Sequence, residues 1–246
     1  MTSNIEMNIE NLSKEDSDKL IKKGITMPMI ATTSTLSDLS IITGKVNDNN
    51  LFPIIFKYNN VTNKVTLSGK EVPTEPSPLI GHAMYGKITQ TGDMHLDSIS
   101  GVLRDTSLRA ELVNVFNNLT SELKLPEKKV KVGDTLFLEI PYSMPIGGVN
   151  TKFIIKAIYG LVSIKKGLAN FDIDQSMQFN MNKADTTASY IGNGRGSGKM
   201  VYSIKEGFFK SIDRDILIDY QIKYKGKTIK GEAKINSSYF FSVKDK

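Results

Sequence analysis

The chain contains no cysteine and no tryptophan, and only two histidines. Without thiols there can be no disulfides, thiolate zinc sites, iron–sulfur clusters or cysteine nucleophiles. Without indoles, the sugar-stacking platform of many β-rich carbohydrate modules is missing. No apolar run approaches the ~18 residues that a transmembrane helix needs. No apolar h-region follows Met1, which leads straight into Thr2-Ser3-Asn4. The expected location is therefore the cytosol, or the periplasm or cell envelope if a leader has been replaced by an initiator Met. In the second case a lipid-anchoring Cys would have gone with the leader, and membrane association would come only through that lost anchor.

Arginine is also scarce. The 32 basic and 26 acidic residues give a formal charge of +6. The lysines, however, stand singly or in pairs such as Lys22-Lys23, Lys128-Lys129 and Lys165-Lys166. A nucleic-acid reader gathers its cations, usually guanidinium forks, on one element. No nucleic-acid partner is expected.

What is present is alternation. With 39% apolar residues in 246, the chain can bury a core. Ile216, Ile218, Tyr220, Ile222 and Tyr224 occupy every second position, and Ile229, Gly231, Ala233 and Ile235 do so after Lys225-Gly226. A tight turn there pairs Ile222 with Ile229 and Ile216 with Ile235, and puts both sets on one face. Phe153, Ile155, Ala157, Tyr159 and Leu161 face Phe171, Ile173, Met177 and Phe179 if Lys165-Lys166-Gly167 is a three-residue loop closed by a left-handed Gly. Further hairpins are predicted for Phe52–Tyr58 with Val65 and Leu67, turning at 60–63, and for 79–90 with 94–100, turning at Thr91-Gly92-Asp93. A strand over 130–140 is predicted to end at Pro141 and Pro145. Met200-Tyr202-Ile204 leads through Glu206-Gly207 into Phe208.

Two helices are predicted. Ser13–Lys23 has a Ser-x-x-Asp start and Gly24 as its stop. Asp105–Leu123 carries Leu108, Leu112, Val115, Phe116, Leu119 and Leu123 on one face. The expected fold is mainly β: a curved antiparallel sheet or incomplete barrel with both helices packed on it. It forms a single domain over 1–246, with 1–100 as a candidate N-terminal subregion.

Chemistry-bearing motifs are thin. Gly192-Asn193-Gly194-Arg195-Gly196-Ser197-Gly198-Lys199 has Asn193 where a P-loop needs its first Gly, and Met200 where it needs a hydroxyl. A strand follows where a helix is required, so this segment reads as a flexible connection or bulged strand start, with only a looser anion contact open at Arg195 and Lys199. His82 and His95 fall on opposite faces when Ile88 pairs with Leu96, so they do not share a metal. Asp93, His95 and Asp97 share one strand face, which reads as solvated rather than metal-binding. No G-x-S-x-G elbow exists. No catalytic, cofactor or metal residue is assigned.

Three segments carry a family resemblance. They are Leu125-Pro126-Glu127-Lys128-Lys129-Val130-Lys131-Val132-Gly133-Asp134-Thr135, Tyr159-Gly160-Leu161 leading to Ala169-Asn170-Phe171-Asp172-Ile173, and the Gly-x-Gly-x-Gly-x-Gly run before Met200-Val201-Tyr202. Over roughly 119–246 the chain resembles uncharacterised exported bacterial envelope proteins of lipoprotein type. The resemblance implies export and a β fold, and carries over no site. The expected role is non-enzymatic: an apolar ligand such as a lipid, or an envelope protein partner, bound in a concave sheet. Phe153, Ile155, Phe171, Met177, Phe179, Ile216 and Ile218 are the candidate lining. The alternative is a structural or protein-interaction module with a fully packed core, and a hydrolase ranks third.

Overall fold

A computed structural model describes the chain except residues 11–12, 23–25, 48–50, 78–79, 90–93, 101–112, 114–128, 147–148, 183–187, 225–226 and 243–246, and except the side chains of 140–153, 180–188 and 224. Its strands are β1 (Thr2–Glu10), β2 (Met29–Thr43), β3 (Leu51–Leu67), β4 (Lys70–Val72), β5 (Ala83–Thr89), β6 (Met94–Ile99), β7 (Thr135–Ile146), β8 (Val149–Lys165), β9 (Leu168–Asn182), β10 (Ala188–Ser203), β11 (Phe208–Tyr224) and β12 (Lys227–Phe240). They form one 12-stranded sheet in the order β6-β5-β3-β2-β1-β12-β11-β10-β9-β8-β7, with β4 folded back on β3. Every named strand pair is antiparallel. Strands β7 to β12 are a simple meander. The N-terminal strand β1 then lies between β12 and β2 and joins the two halves of the chain. The sheet is open, with β6 and β7 at its two ends among the described residues.

The β11–β12 hairpin has the register that alternation dictates: Ile222 opposite Ile229, Tyr220 opposite Gly231, Ile216 opposite Ile235. The β8–β9 hairpin has the expected faces but a different turn. Lys165 pairs with Leu168 across a two-residue turn, with Lys166 at φ 50° and Gly167 at φ 76°. The twist of such a turn matches the strands it joins. The residue that a three-residue loop would have absorbed is instead a bulge between Leu161 and Ser163, which restores Leu161 opposite Phe171.

The hairpin predicted at 52–67 is a single strand. The inward residues Phe52, Ile54, Phe56 and Tyr58 take even numbers, and Val61, Val65 and Leu67 take odd ones. That change of parity is made by a bulge, not a turn: Asp38 pairs with Asn60 and Leu39 with Tyr58, leaving Asn59 over. Asn59 Nδ2 donates to Ser40 Oγ at 2.7 Å and to Asp38 Oδ2 at 3.2 Å, so the extra residue is held by the neighbouring strand. Pro141 and Pro145 do not end β7, which runs to Ile146 opposite Val149. Both prolines have the same parity on a terminal strand, where the missing N–H faces the unpaired side. The register of β5 and β6 is shifted by two from the expected one, Ile88 lying opposite Met94 and Gly86 opposite Leu96, with the faces preserved.

One helix, α1 (Lys14–Lys22), is seen among the described residues. Ser13 Oγ accepts from the Asp16 N–H at 3.1 Å and caps it as the sequence predicts. It buries no residue, and Ile21 is exposed, so it does not cover the sheet as expected. Its acidic start and basic end favour a solvated connector between β1 and β2. The second predicted helix, Asp105–Leu123, lies outside the described residues apart from the helical Val113, which packs against the cluster of Ile54, Phe56, Met84, Leu96 and Ile99.

Candidate functional site

Register places every inward residue of the sheet on one apolar face. Two solid clusters stand on it. One gathers Leu136, Ile155, Ala157, Tyr159, Leu161, Phe171, Ile173, Met177, Met200, Phe209 and Ile212 from β7 to β11. The other gathers Ile54, Phe56, Met84, Leu96 and Ile99 from β3, β5 and β6. Between them, Ile5, Met7 and Ile9 of β1, Met29 of β2, Val65 and Leu67 of β3, and Ile229 and Ile235 of β12 are only half-buried. The face curls inward. Tyr58 of β3 and Tyr239 of β12, two strands that do not pair, come close enough for one to act on the other: burial raises the Tyr58 phenol pKa and Tyr239 raises it further.

Of the candidate lining, Ile155, Phe171 and Met177 are buried within the first cluster, and Ile216 and Ile218 pack on its margin, half-buried. Phe179 is half-buried beside Gly192. The Phe153 side chain lies outside the described residues.

The glycine-rich segment is no connection. It is the middle of β10, and Gly192, Gly194, Gly196 and Gly198 all fall on the apolar face. Each is overlaid by a neighbour. A Cβ on Gly192 would enter the Phe179 ring at 2.1 Å, and one on Gly194 would meet Met177 Cγ at 2.5 Å. The same device recurs on β12, where Tyr220 lies over Gly231. Large side chains thus cover glycine backbone from the adjacent strand. Tyr220 is the residue that sequence reasoning left without a role. Its phenol oxygen is buried with no hydrogen-bond partner among the described residues, and burial raises its pKa. The only sequence signal was its alternation opposite a glycine.

The opposite face is polar and most of its charges alternate by strand. It carries Glu139 on β7, Lys156 on β8, Asp172 and Asp174 on β9, Arg195 and Lys199 on β10, Asp213, Asp215 and Asp219 on β11, Lys230 and Lys234 on β12, and Glu6 and Glu10 on β1. Lys223 on β11 and Glu232 on β12 break the pattern, and Glu232 stands opposite both Asp219 and Glu6. Lys199 sits opposite both Asp172 and Asp213. Lys156 reaches Glu139 at 3.6 Å and Lys230 reaches Glu10 at 2.7 Å. Opposed charges on neighbouring strands favour this strand order by roughly 0.2–1 kcal/mol a pair. Two shallow depressions of about 590 and 610 Å³ share Asp174, Ser197, Asp215 and Asn236 on this face. Their charges belong to the ladder. His95 Nε2 and Lys87 Nζ stand 3.6 and 3.5 Å from Asp97 Oδ1, and Asp93 lies outside the described residues. No group of three metal-ligating side chains occurs among the described residues.

Comparison with protein-family models, curated proteins and solved structures finds no match.

Proposed function

We propose that this is a non-enzymatic binding protein that holds an amphipathic apolar ligand, such as a lipid, on the middle of its inward face. The observation that carries this is the orphan Tyr220 hydroxyl on a half-buried apolar surface. A buried donor without a partner costs about 1–3 kcal/mol, which a ligand oxygen would recover. Ile5, Met7, Ile229 and Ile218 surround that position in register and would take the hydrocarbon, and Met adapts to irregular guests. The likeness of the second half to exported envelope proteins supports the periplasm or cell envelope as its place.

Titration with the apolar fluorophore 1-anilinonaphthalene-8-sulfonate, together with native mass spectrometry for co-purified lipid, tests the reading. The native protein should bind the probe saturably. Met7→Lys should weaken it at least tenfold, and Tyr220→Phe should release an oxygen-bearing lipid while leaving the circular dichroism unchanged. Absence of both probe binding and bound lipid in folded protein would defeat the reading. The alternative of a packed interaction module draws on the β7–β11 end, where Ala157 and Met200 are 0% and 1% exposed. It would then extend over the whole face.

A further inference from the structure

The meander β7 to β12 brings one end of each of its strands to a common rim. Hydrogen bonds run along it: from the Gly133 N–H to Leu161 O at 2.8 Å, from the Ile204 N–H to Gly167 O at 3.0 Å, and from the Phe241 N–H to Lys210 O at 2.9 Å. Neighbouring strands over five spacings make the rim roughly 24 Å long. Each turn on it is tied by its own bonds. Asp134 Oδ2 accepts from the Lys131 N–H at 3.0 Å, and the Asp134 N–H donates to Lys131 O at 2.9 Å, which leaves Val132 at the tip. The Gly207 N–H donates to Ser203 O at 2.9 Å, which leaves Ile204 and Lys205 at the next tip. Between them lies the two-residue turn of Lys166 and Gly167.

This rim is apolar where turns are ordinarily polar. Val132, Val162 and Ile204 are each 53% exposed, Ile164 is 46% exposed and Phe240 80%. An aromatic cluster stands beneath the β10–β11 turn: Tyr202 with Phe209, Phe209 with Phe208 and Phe208 with Phe241 meet edge to face, ring centres 5.6 Å apart in each pair. Lysines stand among the apolar side chains, Lys131, Lys165, Lys166 and Lys205 all being exposed. The acids on these turns are engaged. Asp134 closes its own turn, and Glu206 Oε2 lies 2.7 Å from Lys210 Nζ. Among the described residues the rim is therefore cationic as well as apolar.

We propose that this rim docks on an anionic lipid bilayer, its apolar tips entering the headgroup region and its lysines meeting lipid phosphates. Exposed apolar side chains bordered by polar ones mark a contact surface, with protein or with membrane. The charges decide between the two. A protein interface excludes charge from its apolar centre. Here the cations lie among the apolar tips, and each tip is a single side chain on a separate turn. A bilayer takes such side chains one at a time. A lysine beside them lays its stem along hydrocarbon and keeps its amine at the phosphates, where a negative surface attracts it. The rim is separate from the inward apolar face, and the proposal stands whether or not a ligand binds there.

Vesicle flotation tests this, with equal parts of phosphatidylglycerol and phosphatidylcholine set against phosphatidylcholine alone. The protein should bind the anionic vesicles at low salt, and the neutral ones at least tenfold more weakly. Because the chain has no tryptophan, Ile204→Trp places a lone indole on the rim. Its emission should shift to the blue on adding anionic vesicles. The emission of Ile191→Trp, at an exposed position roughly 40 Å away along β10, should not. Lys165→Gln combined with Lys166→Asn, the second of which tolerates the positive φ, should weaken binding at least tenfold with unchanged circular dichroism. Absence of binding at low salt, equal binding to neutral vesicles, or equal emission shifts in the two tryptophan variants would overturn the proposal. So would a dimer in light scattering that Ile204→Ser makes monomeric, without vesicle binding, because the rim would then be an interface between copies of this chain.

Discussion

A glycine in this protein is there for one of two physical reasons, and substitution separates them. At Gly167 the reason is conformation: φ is 76° and nothing lies within 4 Å of an added Cβ. Gly167→Val should cost about 1–2 kcal/mol through the left-handed backbone alone, seen as a lower denaturation midpoint. In β10 the reason is space. An added Cβ at Gly198 would lie 2.2 Å from the Asp213 carbonyl oxygen, which belongs to backbone and cannot swing away. At Gly194 the obstacle is the flexible Met177 side chain. Gly198→Ala should therefore cost about 2–3 kcal/mol and Gly194→Ala about 1 kcal/mol or less, within the usual range for overpacking. Equal midpoints for the two alanine variants would show that β10 is not packed face-on against its neighbours.

At the scale of elements, polar contacts hold what apolar burial does not. Helix α1 has no buried residue and is tied to the β11–β12 hairpin by Lys227, whose Nζ lies 2.7 Å from Asp16 Oδ2. That hydrogen bond, then the one with Ser13, lowers the Asp16 pKa from its ordinary 3.8. A depressed carboxylate contributes stability above its unfolded pKa and loses it as pH falls through the lower folded value. The tie should thus persist at neutral pH and fail only in acid below 3.8. A carboxyl NMR titration of Asp16 should find a midpoint under 3.8 that rises towards it in Lys227→Ala. No such change in the variant would mean that α1 is not anchored there. The prolines of β7 belong to this scale too, since they leave a terminal strand without two of its donors and discourage further pairing.

The whole molecule depends on β1 as a seam. It pairs with β12 from Thr2 to Glu10 and with β2 from Thr2 to Met7, and no other strand joins the two halves among the described residues. Deleting residues 1–10 removes three half-buried apolar side chains, Ile5, Met7 and Ile9, each worth about 1 kcal/mol at half burial. It also frees two long edges. The truncated chain should lose about 3 kcal/mol or more and unfold in two steps, one for each cluster, by calorimetry. A single transition of unchanged midpoint would show that the halves are coupled elsewhere.

Local alternation by itself determined which face the strands of the second half bury, because a period of two is written in neighbouring residues; it did not mark β1 or β2 as strands. It settled Ile216 to Ile235 down to the register, the positive φ of Gly167, the Ser13 cap and the shared face of Ile155, Phe171, Met177, Ile216 and Ile218. It could not settle what a change of parity means. Asn59 and the step between Leu161 and Ser163 are bulges, yet turn residues would leave the same trace in the sequence. Nor could it reveal that the glycines of β10 form a strand, since their partners Phe179, Met177 and Arg214 lie on other strands. The Tyr220 hydroxyl without a hydrogen-bond partner among the described residues, and the β1–β12 pairing across more than 200 residues of chain, were decided by the tertiary structure alone. Such pairings repay a loop-closure entropy that no local pattern encodes, so they exist only once the whole sheet has formed.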